Sequence, residues 1–250
     1  MTGKGEVLIF GNGKAAADFA FEKWVGACTD SVKNKGYFAT ALSGGKTPMD
    51  FYTILSTNGK ELPWTKIHLF LADERFVPAT DKESNYRLVR ECLLNHVNIP
   101  KTNVHRIDTE ESTLEMAAEK YEEEIRNFFG IEGECIPKFD LIMLGIGEDG
   151  HTASQFPGAP SLMEEKRVAI PVIAVKPPHK RISLTLPVLA NARRIMFLVT
   201  GSEKAGIVRE IVEKNESRLP ASLVRRRARS VYLVIDEGAA SLLSGTGAYI

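Results

Sequence analysis

The sequence predicts an α/β protein: a doubly wound, mainly parallel sheet flanked by helices. Two observations predict it. Short apolar runs such as EVLIF, YFATAL, IHLFLA and FDLIML are continuous rather than alternating, as in strands covered on both faces. Between them lie longer segments with apolar residues at helical spacing, and strands alternating with helices imply parallel crossover units. An apolar fraction of 44% over 250 residues is ample for one sizeable core. No repeat, low-complexity tract or long linker divides the chain. Residues 1–250 therefore read as a single domain, with a small subdomain around 100–138 as the one variant.

Taken in order, Glu6–Phe10 is a strand. Lys14–Val32 is an amphipathic helix, because Ala16, Phe19, Ala20 and Trp24 recur at three to five residues. Tyr37–Leu42 is a second strand. Met49–Leu55 is a short helix with Pro48 near its first turn, where a missing N–H costs little. Ile67–Ala72 is a strand, Ser84–Leu93 a helix and Val104–Ile107 a short strand. Ser112–Phe129 is a charged helix opened by Ser112-x-x-Glu115, the spacing of a capping box. Phe139–Leu144 is a strongly apolar strand, and Val168–Val175 and Arg181–Leu186 are two more around the turn Pro177-Pro178. Strand Ile195–Val199, helix Glu203–Val212, strand Val231–Ile235 and a short helix from Gly238 complete the pattern.

Charge and cysteine content exclude several function classes. Lys+Arg and Asp+Glu both total 32, so no basic excess marks a nucleic-acid binder. Cys28, Cys92 and Cys135 are few and far apart, with neither zinc spacing nor a disulfide framework. The stretch MTGKGEVLIF lacks the apolar core of a secretory leader, and no apolar run reaches the roughly 20 residues that cross a bilayer. These features predict a cytoplasmic protein with no membrane or nucleic-acid partner and no metal.

In an open α/β sheet ligands bind outside the carboxyl ends of the strands, so the loops after strands carry the functional expectation. Gly11-Asn12-Gly13-Lys14-Ala15-Ala16 opens a helix after the first strand, but the next strand ends in Ser43-Gly44-Gly45 rather than the acid a dinucleotide ribose needs. Ser43-Gly44-Gly45-Lys46-Thr47-Pro48 fails as a P-loop, since Thr40 stands where its first glycine belongs. Glycines and hydroxyls at a helix start nevertheless form an anion cradle. Asp73-Glu74-Arg75 follows the third strand and is either a solvated charge cluster or a device that orients a substrate or base. Gly145-Ile-Gly-Glu-Asp-Gly150 matches the G-x-G-x-x-G pattern after a strand. His151-Thr-Ala-Ser-Gln-Phe-Pro157-Gly158 follows it, leaving little room for a helix, and the strand after that carries no terminal acid. The dinucleotide reading fails at both points. Asp149 and His151 remain, presented at a strand end, and histidine is the side chain suited to proton transfer near neutrality.

Together these loops resemble one family, the 6-phosphogluconolactonases, which share a superfamily with glucosamine-6-phosphate deaminase/isomerase. The resemblance rests on ALSGGKTP (41–48), LADERFVPATDKESNYR (71–87), FDLIMLGIGEDGHTASQFP (139–157), KPPHKRISLTLPVLANAR (176–193), VTGSEKA (199–205) and LPAS (219–222), in the family order over nearly the whole chain. The deaminase branch is similar at the glycine loop and at Asp-Gly-His. It carries a glutamate where this chain has Phe156, and Asp-Glu-Tyr where this chain has Asp73-Glu74-Arg75; both departures favour the lactonase branch.

The resemblance implies a Rossmann-like fold of the sugar-phosphate isomerase/lactonase type. It implies hydrolysis of 6-phospho-D-glucono-1,5-lactone without a cofactor, and the balanced charge fits a monomer or homodimer. His151 would be the general base, with Asp149 or Asp73 fixing its tautomer. Ser43, Gly44, Gly45, Lys46 and Thr47 would cradle the phosphate, with Lys204 and Arg181 adding positive charge; a strand-edge surface charge is the alternative for Arg181. Arg75 would contact substrate or hold the acids. Asn85 would bond sugar hydroxyls or cap the nearby helix. Three rivals remain: a deaminase/isomerase, a nucleotide-dependent oxidoreductase, and a non-catalytic sugar-phosphate binder.

Overall fold

The structure, a computed structural model, describes residues 5–245. Met1–Lys4, the start of the stretch tested for a leader, and residues 246–250 lie outside the described residues. The elements run β1 (Glu6–Phe10), α1 (Gly13–Lys35), β2 (Phe38–Leu42), α2 (Thr47–Asn58), β3 (Ile67–Leu71), β4 (Asp73–Arg75), α3 (Asn85–Cys92), β5 (Val104–His105), α4 (Leu114–Phe129) and β6 (Leu141–Leu144). They continue with β7 (Ala169–Ile173), β8 (Lys180–Leu184), α5 (Leu186–Asn191), β9 (Ile195–Val199), α6 (Ala205–Glu213), α7 (Pro220–Arg227), β10 (Val231–Asp236) and α8 (Glu237–Ala240).

Seven strands form one parallel sheet in the order β1-β10-β9-β6-β2-β3-β5. Of the strands that read as continuous apolar runs, β2, β6 and β9 are buried along their whole length, as helices on both faces require, and β3 nearly so, whereas β1, at the sheet edge, buries only Val7 and departs from that expectation. From β2 the chain proceeds outward to β3 and β5. From β6 it proceeds the other way, to β9 and β10. The neighbours β2 and β6 therefore feed connections in opposite directions, and the crevice at such a switch point is where a doubly wound sheet takes its ligand. The Ser43 hydroxyl crosses it, donating to the Met143 carbonyl at 2.9 Å.

Helix boundaries follow local chemistry. The Asn12 side chain accepts the Ala15 N–H, and α1 runs a turn past Val32 until Gly36 adopts a left-handed φ of 87°. The capping box expected at Ser112 is displaced by one residue. Thr113 is the extended cap and accepts the Met116 N–H at 3.1 Å, so Glu115 falls outside the reciprocal position and Ser112 contacts the Met116 sulfur instead. The segment around 100–138 supplies β5 and α4. Leu114, Ala117, Ala118, Tyr121 and Ile125 of α4 join the same apolar core as the sheet, and the Tyr121 hydroxyl donates to the Leu71 carbonyl at 2.7 Å.

A second, three-stranded antiparallel sheet, β4-β8-β7, stands over the carboxyl ends of the main strands. It is joined to the main sheet through the Leu184 N–H, which donates to the Ala72 carbonyl. The Pro177-Pro178 bond in its β7–β8 turn is cis. Among the described residues no helix is long and apolar enough to cross a membrane.

Candidate active site

The loop after β2 is the floor of the site. Gly44 carries no side chain because a Cβ there would sit 1.8 Å from Asn85 Oδ1, and Gly45 takes a φ of 109° that side chains resist. Among the described residues, the N–H groups of Gly44, Gly45 and Lys46 meet no acceptor. No side chain caps α2, and its dipole adds positive potential at the same place. The Tyr52 hydroxyl donates to the Ser43 carbonyl and holds the loop from behind.

The acids after β3 divide into two tasks. Glu74 is 1% exposed and accepts the N–H groups of Arg75, Asn85 and Tyr86, each at 2.7 Å, and the Ser84 hydroxyl at 3.0 Å. It anchors the start of α3 and is no solvated charge. Burial pushes its carboxyl up, against the pull of these four donors. Asp73 is also buried. It accepts the Ser154 hydroxyl at 2.6 Å and the Asn85 amide at 3.2 Å. Asn85 does not cap α3; Ser84 does, accepting the Arg87 N–H. Arg75 donates to the Glu83 carbonyl at 2.6 Å and lies directly opposite Arg181 in the β4–β8 register.

The loop after β6 presents the histidine. His151 Nδ1 is 2.5 Å from Asp149 Oδ1, which also accepts the His151 N–H. Of the two candidate acids, then, Asp149 holds the ring, while Asp73 is committed elsewhere. Burial works to raise the Asp149 carboxyl, but the neighbouring imidazole and its N–H donors outweigh it and hold the group below the ordinary carboxylate range. The glycines of the motif have separate reasons. A Cβ on Gly147 would lie 2.1 Å from His151 Nδ1. Gly150 takes a φ of 83° against Leu219, and its carbonyl accepts the Ala221 N–H at the start of α7. Phe156 sits beside the imidazole, ring centres 4.8 Å apart. Ala153 holds a positive φ of 48°, strain of the kind that collects at functional loops.

These loops enclose a cleft of about 410 Å³ at the switch point. Ser43, Gly44, Gly45, Lys46, Thr47, Asp73, Arg75, Asn85, His151, Arg181 and Lys204 all line it; Asp149 stands behind His151 and does not. Arg181 is 8% exposed and packs over the Phe156 ring, so it is no strand-edge surface charge. Lys204 ends the short turn Ser202–Lys204 before α6. Lys46, Arg75, Arg181 and Lys204 have no ion-pair partner among the described residues, and set against Asp73, Glu148 and Glu203 in the same lining they leave the cleft one positive charge in excess. Sequence reasoning missed Ala153, Ser154, Gln155 and Ser183. Ser183 accepts both the Ser154 N–H and the Gln155 amide, tying the histidine loop to β8. The signal for them was a polar run directly after His151, too polar to be buried without dedicated partners. Among the described residues no group of three or more His, Cys, Asp or Glu could hold a metal ion.

Residues 11–233 match the profile of the family described as glucosamine-6-phosphate isomerases/6-phosphogluconolactonase. The chain belongs to this family. Within it, the chain is 40% identical to the 6-phosphogluconolactonase of Rattus norvegicus, covering 84% of this chain and 82% of that one. It is 34% identical to the 6-phosphogluconolactonase of Mycobacterium tuberculosis, with 95% and 98% covered. Among solved structures, the 6-phosphogluconolactonase of Thermotoga maritima superposes with a TM-score of 0.81 at 32% identity, covering 93% of this chain and all (100%) of that one. That of Leishmania guyanensis gives 0.86 at 28% identity, covering 96% and 99%. A monomeric glucosamine-6-phosphate deaminase shares the fold, with a TM-score of 0.78 at 23% identity.

Proposed function

We propose that this protein hydrolyses 6-phospho-D-glucono-1,5-lactone to 6-phospho-D-gluconate, in the oxidative branch of the pentose phosphate pathway. The observation that carries the reading is the Asp149–His151 pair at the rim of an anion-binding cleft, in a chain whose relatives bear the lactonase name. With Nδ1–H donated to Asp149, Nε2 of His151 is the free base. It takes a proton from water as the water oxygen bonds to the lactone carbonyl carbon. The carbonyl electrons move onto oxygen. As the tetrahedral intermediate collapses, the ring C–O bond breaks and His151 returns the proton to the departing ring oxygen. The phosphate rests on the free amides of 44–46, the α2 dipole and the Lys204 ammonium. Arg75 holds the acidic loop through Glu83, and Asn85 orients Asp73. Phe156 occupies the place beside His151 where the deaminase pattern has its glutamate.

Replacement of His151 by Ala should lower lactone turnover at least about 100-fold, the usual share of a positioned base, while circular dichroism stays unchanged. Turnover near that of the unaltered protein would remove His151 from the mechanism. Freedom from cofactor, a cytoplasmic setting and a monomeric or homodimeric state belong to the same proposal. Turnover undiminished by a chelator and a sedimentation coefficient of one or two chains check the first and last of these.

A further inference from the structure

The cleft has two cationic poles on opposite flanks of His151. Across the main sheet the relevant strands run β9, β6, β2, β3. Lys204 follows β9, His151 follows β6 and the glycine loop follows β2; Arg75 stands on β4, which follows β3 in the chain, and Arg181 on its partner β8 in the second sheet. Three inter-strand steps, roughly 14 Å at the usual strand spacing, separate β9 from β3, the main-sheet strands that lead to the two poles. A sugar phosphate with its phosphate at one pole therefore presents its far end to the other, past the histidine.

The Arg181 pole offers a guanidinium fork that no carboxylate of the protein engages directly among the described residues, although Asp73 lies near enough to act on it electrostatically. Arg181 faces Arg75 directly across an antiparallel pair, an arrangement of like charges that destabilises a sheet. Arg181 is 8% exposed, and among the described residues no carboxylate pairs with it. Its Nε donates to the Pro178 carbonyl at 3.0 Å, which fixes the plane of the guanidinium. Both terminal nitrogens, the fork that suits two oxygens at once, meet no acceptor among the described residues. The guanidinium carbon is 5.6 Å from the Phe156 ring centre, and the same ring lies against His151. The free fork and the base thus share one aromatic wall.

We propose that Arg181 receives the negative charge created at the lactone carbonyl, first as the oxyanion and then as the product carboxylate, while Lys204 and the 43–47 loop hold the phosphate. This rests on the lactonase reading above. The bond changes are those already given: the carbonyl electron pair moves onto the oxygen facing Arg181 as water adds and returns to re-form the C=O as the ring C–O bond breaks, and the carboxylic acid so formed then loses its remaining proton to solvent, leaving the carboxylate on Arg181. Arg75 keeps Arg181 turned toward the cleft by repulsion.

Two ligands with the same phosphate separate the poles. 6-Phosphogluconate carries a carboxylate at C1, and glucitol 6-phosphate carries a hydroxymethyl there. Calorimetry should show that Arg181→Met weakens 6-phosphogluconate about ten-fold or more and leaves glucitol 6-phosphate within about two-fold. Lys204→Ala should weaken both alike. In turnover, Arg181→Met should lower kcat on the order of 100-fold, as loss of an oxyanion donor does, with a smaller change in KM. Equal weakening of both ligands by Arg181→Met would make Arg181 a phosphate ligand and overturn the proposal, as would no weakening of either. If Arg181→Met fails to fold, Arg181→Lys, which keeps charge but loses the fork, decides by the same comparison. Binding needs no turnover, so a protein that discriminates the ligands yet opens no lactone would overturn the lactonase reading alone.

Discussion

Gly147 shows how narrowly the site is defined at the scale of single residues. Its α-carbon lies where any Cβ would collide with both His151 Nδ1, at 2.1 Å, and Asp149 Oδ1, at 2.7 Å. Gly147→Ala should therefore push the imidazole off its acid. A displacement of about 1 Å at a reacting group can cost on the order of 100-fold in rate, so kcat should fall by that order. The melting temperature should change little, because the colliding ring is partly exposed and free to swing. A variant with full activity would show that the Asp149–His151 contact is dispensable. The pattern G-x-G-x-x-G was visible in the sequence, but its glycines serve a histidine and a leucine rather than a pyrophosphate. Asp149 and His151 were legible because they sit two residues apart at a strand end. The commitment of Asp73 to Ser154 was not, since it joins residues eighty-one apart.

At the scale of elements, the strands of the main sheet other than the two-residue β5 were legible because they are apolar runs bounded by glycine, proline or charge. β4 was not. Its three residues are Asp73-Glu74-Arg75, and only pairing with β8, a hundred residues on, makes them a strand. α7 was invisible for a similar reason: Pro220 opens it, but its first N–H, that of Ala221, depends on the Gly150 carbonyl. One contact between elements has a measurable consequence. On β3, β5 and α4, His68 Nδ1 lies 3.1 Å from His105 Nε2, and His105 Nδ1 lies 2.8 Å from Glu124. Burial, then His105, then Lys35 of α1 pull the His68 pKa down to about 4, from an ordinary value of 6.5. Between those values the unfolded chain binds a proton that the folded chain refuses, so stability falls as pH drops from about 6.5 to about 4. Thermal unfolding should show this decline, and His68→Gln should flatten it. An unchanged slope in the variant would assign the acid sensitivity to other groups.

At the scale of the whole molecule, one apolar core runs from Val7 to Ala239 and includes α4. We expect it to melt in a single cooperative transition in the same experiment. The doubly wound order was legible as a class, from strands alternating with helices. The strand order was not, because it depends on which edges meet after every crossover has closed. The outermost strand of one side, β1, pairs among the described residues only with β10, register Glu6↔Tyr232 through Phe10↔Asp236. A ribosome adding about 5–20 residues per second reaches that partner roughly ten to forty-five seconds after β1 is made. Until then the first strand has no hydrogen-bonding neighbour. The side of the sheet that carries Lys204 is accordingly the last to close during synthesis, and a nascent chain holds the pieces of the cleft well before it holds the cleft.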